Sequence, residues 1–151
     1  MFHPFYLFLE KLGYAHPIHP MVTHITVGLT MGTLVFGLVS LFFRRVRLKL
    51  TAWHCAVLAI VSVVPTVLFG LMDWQEKLAG QWLPTIIAKM ILAGCLFVTL
   101  LAALLLGRRR EGHEESDHPW RTPRAISALI LYGVSTGIVV ALGFLGGSLV
   151  Y

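Results

Sequence analysis

Residues 20–43, PMVTHITVGLTMGTLVFGLVSLFF, contain no Asp, Glu, Lys or Arg. As an α-helix rising about 1.5 Å per residue, this stretch is long enough to cross the roughly 30 Å hydrocarbon core of a bilayer. Three further apolar stretches follow it at residues 52–72, 83–106 and 125–151. None of them alternates as a transmembrane β-strand would. The sequence therefore predicts an all-α, four-helix transmembrane bundle that forms a single integral membrane domain over residues 1–151.

The composition points to the same class of protein. Of the 151 residues, 57% are hydrophobic and only 13% are charged, and the mean hydropathy is +0.80. Soluble globular domains are about half apolar and about one quarter charged. The low charge excludes a disordered tail, a coiled coil and an ordinary soluble enzyme, and it makes the lipid bilayer the first expected partner.

The basic residues predict the orientation of the chain. Nine of the twelve Lys and Arg residues lie in the first and third loops: Arg44, Arg45, Arg47, Lys49, Arg108, Arg109, Arg110, Arg121 and Arg124. Because cytoplasmic loops carry the positive excess, we expect both termini on the outer, periplasmic side of a bacterial inner (cytoplasmic) membrane. This asymmetry and attraction to anionic lipid account for the net charge of +5, so no nucleic-acid partner is implied.

Residues 1–12 are too short to span the membrane and carry no early basic region of the kind that marks a signal peptide. Pro4 suits the first position of a helix and Gly13 suits a C-terminal cap. We therefore expect a short N-terminal helix that lies in the outer interface.

Three histidines are concentrated at the outer end of the first span, in AHPIHPMVTH at residues 15–24. Pro20 suits the first helical position, which places His24 about one turn inside the membrane. An ionisable group inside a membrane is a candidate functional residue. The alternatives are that His24 bonds a neighbouring helix and that His16 and His19 cap the helix and reach the interface.

Two glycines follow His24 on its side of the helix. Gly28 and Gly32 come four and eight residues later, which predicts a shallow groove against which a flat haem or quinone ring can lie. His24 would then be an axial ligand or a hydrogen-bond partner. The alternative is a small-xxx-small contact with another helix. A polar seam on the opposite face is assigned to the bundle or to a partner: Thr23, Thr26, Thr30, Thr33, Gly37 and Ser40.

His54 and Lys89 are two further candidates for binding a cofactor. His54 lies at the inner end of the second span, about 20 Å in depth from His24, so the two cannot bind one iron. If His24 and His54 are both metal ligands, they bind separate haems. The alternative is that His54 is an interfacial residue beside Trp53. Lys89 lies six residues into the third span, where it either pairs with Asp73 or contacts a haem propionate, a quinone oxygen or iron.

The cysteines limit the other redox centres. The chain has two cysteines and no CxxCH motif, which excludes covalently attached haem and four-cysteine iron–sulfur sites. Any redox centre would therefore be held by His, Lys, Met or carboxylate side chains, or be a free quinone.

The motifs HPIHPMVTH, GLMDW and GGSLVY together resemble the bacterial four-helix membrane proteins of domain-of-unknown-function family 2231. The resemblance runs from His16 to Tyr151 and implies a membrane domain found beside, or fused to, Rieske or c-type cytochrome domains. It also implies a histidine in the third helix, near the position where this chain has Lys89. The signature positions carried over are His16, His19, His24, Asp73, Trp74, Gly146 and Gly147.

These observations predict a cytochrome b-like electron-transfer subunit rather than a stand-alone enzyme. It would bind b-type haem or quinone near the outer face, using His24 with help from His16, His19 and Lys89, and would relay electrons to a Rieske- or c-type cytochrome partner. The alternative is a non-catalytic scaffold or assembly subunit of a larger membrane complex, and metal-ion handling by the three outer histidines is a weaker third hypothesis. A homo-oligomer is left open.

Overall fold

The computed structural model describes residues 18–43, 45–77, 80–107 and 123–147. It contains four α-helices: α1 (Ile18–Phe43), α2 (Val46–Lys77), α3 (Pro84–Gly107) and α4 (Pro123–Gly147). All four are long and apolar enough to cross a membrane, and the described residues form no strand. The predicted all-α fold with four transmembrane helices is confirmed. The expected N-terminal helix at residues 1–12 lies outside the described residues.

Three of the four helices begin before the apolar stretches that predicted them. α1 begins at Ile18, so Pro20 is its third residue rather than its first, where its missing N–H still costs no helical hydrogen bond. α2 extends beyond residues 52–72 at both ends, and α4 begins two residues before 125. Hydropathy marks only the part of a helix within hydrocarbon, whereas the backbone hydrogen bonds continue into the interface. There the side chains of Arg47 and Gln75 can reach water.

The helices pack as a ring in chain order. α1 packs against α2 and α4, and α3 packs against the same two helices. Only residues 44 and 45 separate α1 from α2, and residues 78–83 separate α2 from α3, so consecutive helices are antiparallel. We call the end that holds the start of α1 and the end of α2 the His24 end, and the opposite end the Trp53 end.

Alanine residues bring the helices close together in the half of the bundle nearer the Trp53 end. The buried cluster there is Ala52, Ala56, Ala103, Ala125 and Tyr132. A second cluster lies nearer the middle of the bundle and contains Ala59, Val63, Leu96, Leu100 and Val139. Since lipid is as apolar as these side chains, close packing rather than water exclusion stabilises such contacts.

Hydroxyl groups fill much of the remaining interior. The buried polar residues are Thr26, Thr30, Thr33, Ser40 and Ser135. The Thr26 hydroxyl lies 3.0 Å from the Ser62 hydroxyl and 2.8 Å from the Thr66 hydroxyl, both on α2. The assignment of the threonine seam on α1 to the bundle is therefore confirmed, and its hydroxyls are hydrogen-bonded as buried polar groups need to be.

A compact turn joins α2 to α3 at the His24 end. Gly80 has a φ of +72°, a left-handed conformation that glycine adopts without a steric penalty. The Trp74 indole donates a 2.9 Å hydrogen bond to the Gln81 carbonyl. Its ring also contacts Trp82 at a centroid distance of 4.8 Å. Two tryptophans thus lie together at one end of the bundle, as expected for an interfacial aromatic belt.

Candidate functional site

His24 lies on the outward side of α1. Its side chain is exposed, as are Gly28, Met31 and Val35, which follow at helical spacing. Thr26, on the opposite side of the helix, is buried in the bundle. A ligand of His24 would therefore lie on the outer surface of the bundle and not among the four helices.

The two glycines that follow His24 have different surroundings. A Cβ placed at Gly28 would meet nothing within 4 Å. A Cβ placed at Gly32 would lie 3.6 Å from the Cys55 sulfur of α2. Gly28 thus leaves the α1 backbone open beside His24, whereas Gly32 belongs to the contact between α1 and α2.

His54 is exposed on α2 near the Trp53 end. Its ring meets Trp53 edge to face at a centroid distance of 5.4 Å. Such a contact is typical of the membrane interface, where aromatic rings with one polar edge are enriched.

The contacts between α1 and α2 show the relative depths of the two histidines. The hydrogen bond between Thr26 and Ser62 places His24, two residues before Thr26, level with Val64. His54 lies ten residues before Val64, which corresponds to about 15 Å along the helix. One iron atom cannot bind both rings at that separation.

Lys89 is half-buried on α3, three residues after buried Ile86, and therefore lies toward the bundle. Lys89 is the sixth residue of α3, which begins at the His24 end of the bundle. No ion pair joins Lys89 to Asp73 within the described residues, and Asp73 has another interaction.

Two further histidines, His16 and His19, were predicted beside His24 at the outer end of the first span. His16 lies outside the described residues. The backbone of His19 is in the first turn of α1, but its side chain lies outside the described part of the structure. Within the described residues no group of three or more His, Cys, Asp and Glu side chains is arranged to hold a metal ion. Cys55 is half-buried and Cys95 is exposed, and both are free thiols.

Two interior features were missed by the sequence analysis. The first is the hydroxyl pairing beyond α1: Ser135 of α4 donates a 3.0 Å bond to Thr99 of α3. The spacing of Ser62 and Thr66, four residues apart on α2, could have indicated the partners of Thr26. The second is the Trp53 indole nitrogen, which is buried without a hydrogen-bond partner in the described part of the chain, and no local pattern indicates this.

A match of most of the chain to a family model agrees with this architecture. Residues 15–151 match the family described as predicted membrane protein (DUF2231). The chain belongs to the DUF2231 family. The curated proteins and the solved structures contain no match to it. Membership of the family confirms the predicted resemblance, and its description agrees with a membrane protein.

Proposed function

We propose that this DUF2231 protein is a membrane electron-transfer subunit that binds a quinone, or a b-type haem, at His24. The observation that carries the proposal is the exposed imidazole one helical turn from Gly28, where no atom lies within 4 Å of the Cβ position. An ionisable side chain on an outward face is costly in lipid unless something binds it. A flat ring lying on the open backbone would supply that partner.

The arrangement suits a quinone better than a haem. A quinone carbonyl needs one hydrogen-bond donor, and the imidazole of His24 provides it while the ring covers Gly28. A six-coordinate b-type haem needs two axial ligands. His54 is too far away to be the second, so a haem at His24 would need another partner, for which His16, His19, Lys89 and water are the candidates. The buried hydroxyls of Thr26 and Thr30 occupy the interior and favour an outward site in either case.

The redox role follows from this chemistry. Oxidation of a bound quinol releases two electrons and two protons, and the His24 imidazole can accept one of the protons. The electrons would pass to a Rieske- or c-type cytochrome partner. We place the protein in a bacterial inner membrane with the His24 end on the outer side, where such partners are found.

Quinone binding tests the proposal directly. We expect the protein in lipid nanodiscs to bind ubiquinone, measured by quenching of tryptophan fluorescence. His24→Ala should weaken binding about tenfold through loss of one hydrogen bond and its packing, and Gly28→Leu should weaken it by covering the backbone. His54→Ala is the matched control and should bind as the parent does.

An absorption spectrum of gently extracted protein separates the two cofactors. A Soret band that is lost in His24→Ala would indicate haem, and a quinone in the organic extract without that band would indicate quinone. Absence of both cofactors, together with no ubiquinone binding in nanodiscs, would refute electron transfer at His24.

A non-catalytic scaffold role is the second candidate, and the surface of α4 favours it. Gly137 is open, with nothing within 4 Å of its Cβ position, between exposed Val134 and Val140. Such a small-residue surface admits a partner helix. We expect Gly137→Leu to prevent co-purification of a partner subunit, whereas Gly94→Leu, at an equally open position on α3, should not. A complex unaffected by Gly137→Leu would contradict the scaffold role.

A further inference from the structure

The interior of the bundle is filled more completely at the Trp53 end than at the His24 end. Near the Trp53 end Ala52, Ala103 and Ala125 are buried close to the ends of their helices. At the His24 end none of the described side chains of α2 after Val63, or of α4 after Val139, is buried. These side chains therefore leave the interior incompletely closed at the His24 end.

Lys89 faces this part of the interior. It precedes buried Leu96, Leu100 and Ala103 by 7, 11 and 14 residues, a spacing that places all four on one face of α3. The lysine side chain is half-buried, and no hydrogen bond or ion pair joins it to another described residue. A charged amine within a span is costly without a partner, so Lys89 needs an anion that these residues do not supply.

Gly146 leaves space on the side of α4 that faces α3. Ser135 of α4 donates a 3.0 Å bond to Thr99 of α3. Gly146 comes eleven residues after Ser135, which is about three turns and returns it to the same side of the helix. A Cβ placed at Gly146 would nevertheless meet nothing within 4 Å. The contact between α3 and α4 that is closed at Ser135 is therefore open at Gly146.

The same hydrogen bond relates Lys89 to this space. The two helices are antiparallel, so Lys89, ten residues before Thr99, lies at nearly the depth of Gly146. Ten residues turn Lys89 about 80° away from Thr99, toward the face of Leu96 and thus toward the interior. The amine therefore borders the open end of the α3–α4 contact. We call this place the Lys89 cleft, formed by Lys89 and Gly146.

We propose that the Lys89 cleft binds a long-chain fatty acid, with its carboxylate on the Lys89 amine and its hydrocarbon chain passing between α3 and α4 into the bilayer. Among the described side chains no other Lys or Arg lies at the His24 end, so the cleft matches a single negative charge. Lys89 lies about 8 Å along the helix from Pro84. A carboxylate reaches that depth without bringing a glycerol backbone into the hydrocarbon, and it accepts a charge-assisted hydrogen bond there.

A competition between palmitate and methyl palmitate tests the charge of the ligand, since the two share one chain and differ in the head group. The protein is purified in neutral detergent, incubated with equal amounts of both, and the bound molecules are counted by native mass spectrometry. We expect the parent to retain palmitate about tenfold over the ester, the effect of one hydrogen bond between charged groups.

Substitution of the lysine tests its role in this preference. Lys89→Gln should bring the ratio of palmitate to ester close to one, whereas Lys89→Arg should keep most of the preference. Arg124→Gln is the matched control, because it removes one positive charge at the Trp53 end, and it should leave the ratio unchanged. A preference that persists in Lys89→Gln, or that falls equally in Arg124→Gln, would overturn the proposal.

Substitution of the glycine tests the cleft without changing the charge. Gly146→Leu should fill the space and reduce the amount of palmitate bound. Gly143→Leu is its control, since Gly143 is equally open but exposed on the surface of α4, and it should bind palmitate as the parent does. Circular dichroism shows that each variant folds. Equal binding by the two leucine variants, or displacement of palmitate by an equal amount of phosphatidylglycerol, would contradict a carboxylate site in this cleft.

Discussion

Gly28 and Gly32 show how far a pattern within one helix can predict the role of a residue. Their spacing after His24 fits both an open groove and a helix contact. In the structure Gly28 is open and Gly32 meets Cys55 of α2. The choice between the two roles depends on how α2 is aligned beside α1, and that alignment arises from packing between helices. The sequence therefore predicts the face that the glycines share but not their neighbours.

Thr26 provides a test of the interior hydroxyls at the scale of a single residue. Thr26→Val keeps the side-chain shape but removes the contacts with Ser62 and Thr66 on α2. We expect it to lower the free energy of unfolding by about 1 kcal/mol, within the range measured for hydrogen bonds between membrane helices. The measurement is reversible unfolding in mixed micelles with increasing sodium dodecyl sulfate.

Thr51→Val is the control for this change. Among the described residues, the Thr51 hydroxyl donates only to the Arg47 carbonyl of its own helix, at 3.1 Å. Its loss should change the free energy of unfolding by less than about 0.5 kcal/mol. Equal effects of the two variants would show that the bond between α1 and α2 adds no stability.

The helices themselves are the most predictable elements, because an apolar stretch of 20 or more residues with at most one charge has few alternatives in a membrane. Their ends were less predictable. α2 continues well beyond its apolar stretch on both sides, since its backbone bonds need no apolar side chain to continue into the interface. Hydropathy therefore predicts that an element exists more reliably than it predicts where the element ends.

The turn between α2 and α3 is tested by substitution of its glycine. Gly80→Ala places a Cβ on a backbone with a φ of +72°, which should cost about 1 kcal/mol of stability. It should also weaken the contact between Trp74 and Trp82 that borders the turn, visible as a change in tryptophan fluorescence. Both effects are measured in the same unfolding titration.

Gly94→Ala is the matched substitution within a helix. Gly94 lies inside α3 with nothing within 4 Å of its Cβ position. Alanine there should leave stability unchanged or raise it slightly, because it restricts the unfolded chain and favours helix. A loss equal to that of Gly80→Ala would contradict the assignment of the cost to the left-handed turn.

For the whole molecule, the direction in which a residue faces matters more than its position along the chain. His24 and Lys89 lie at similar distances from the starts of their own helices, which suggests a common layer. Lys89 nevertheless lies on the side of α3 that faces the bundle, while His24 faces outward. A site that contains both would need a ligand reaching from the outer surface to the cleft at the His24 end.

The orientation of the whole bundle is the last prediction. Arg45, Arg47 and Arg124 lie together at the Trp53 end, and positive residues near span ends are retained in the cytoplasm. We therefore expect Gln81→Cys, in the exposed turn at the His24 end, to react with a membrane-impermeant maleimide in intact bacterial cells. His113→Cys, between α3 and α4, should react only after the cells are broken. The parent, whose two cysteines lie within spans, supplies the background, and the reverse labelling pattern would show that the His24 end faces the cytoplasm.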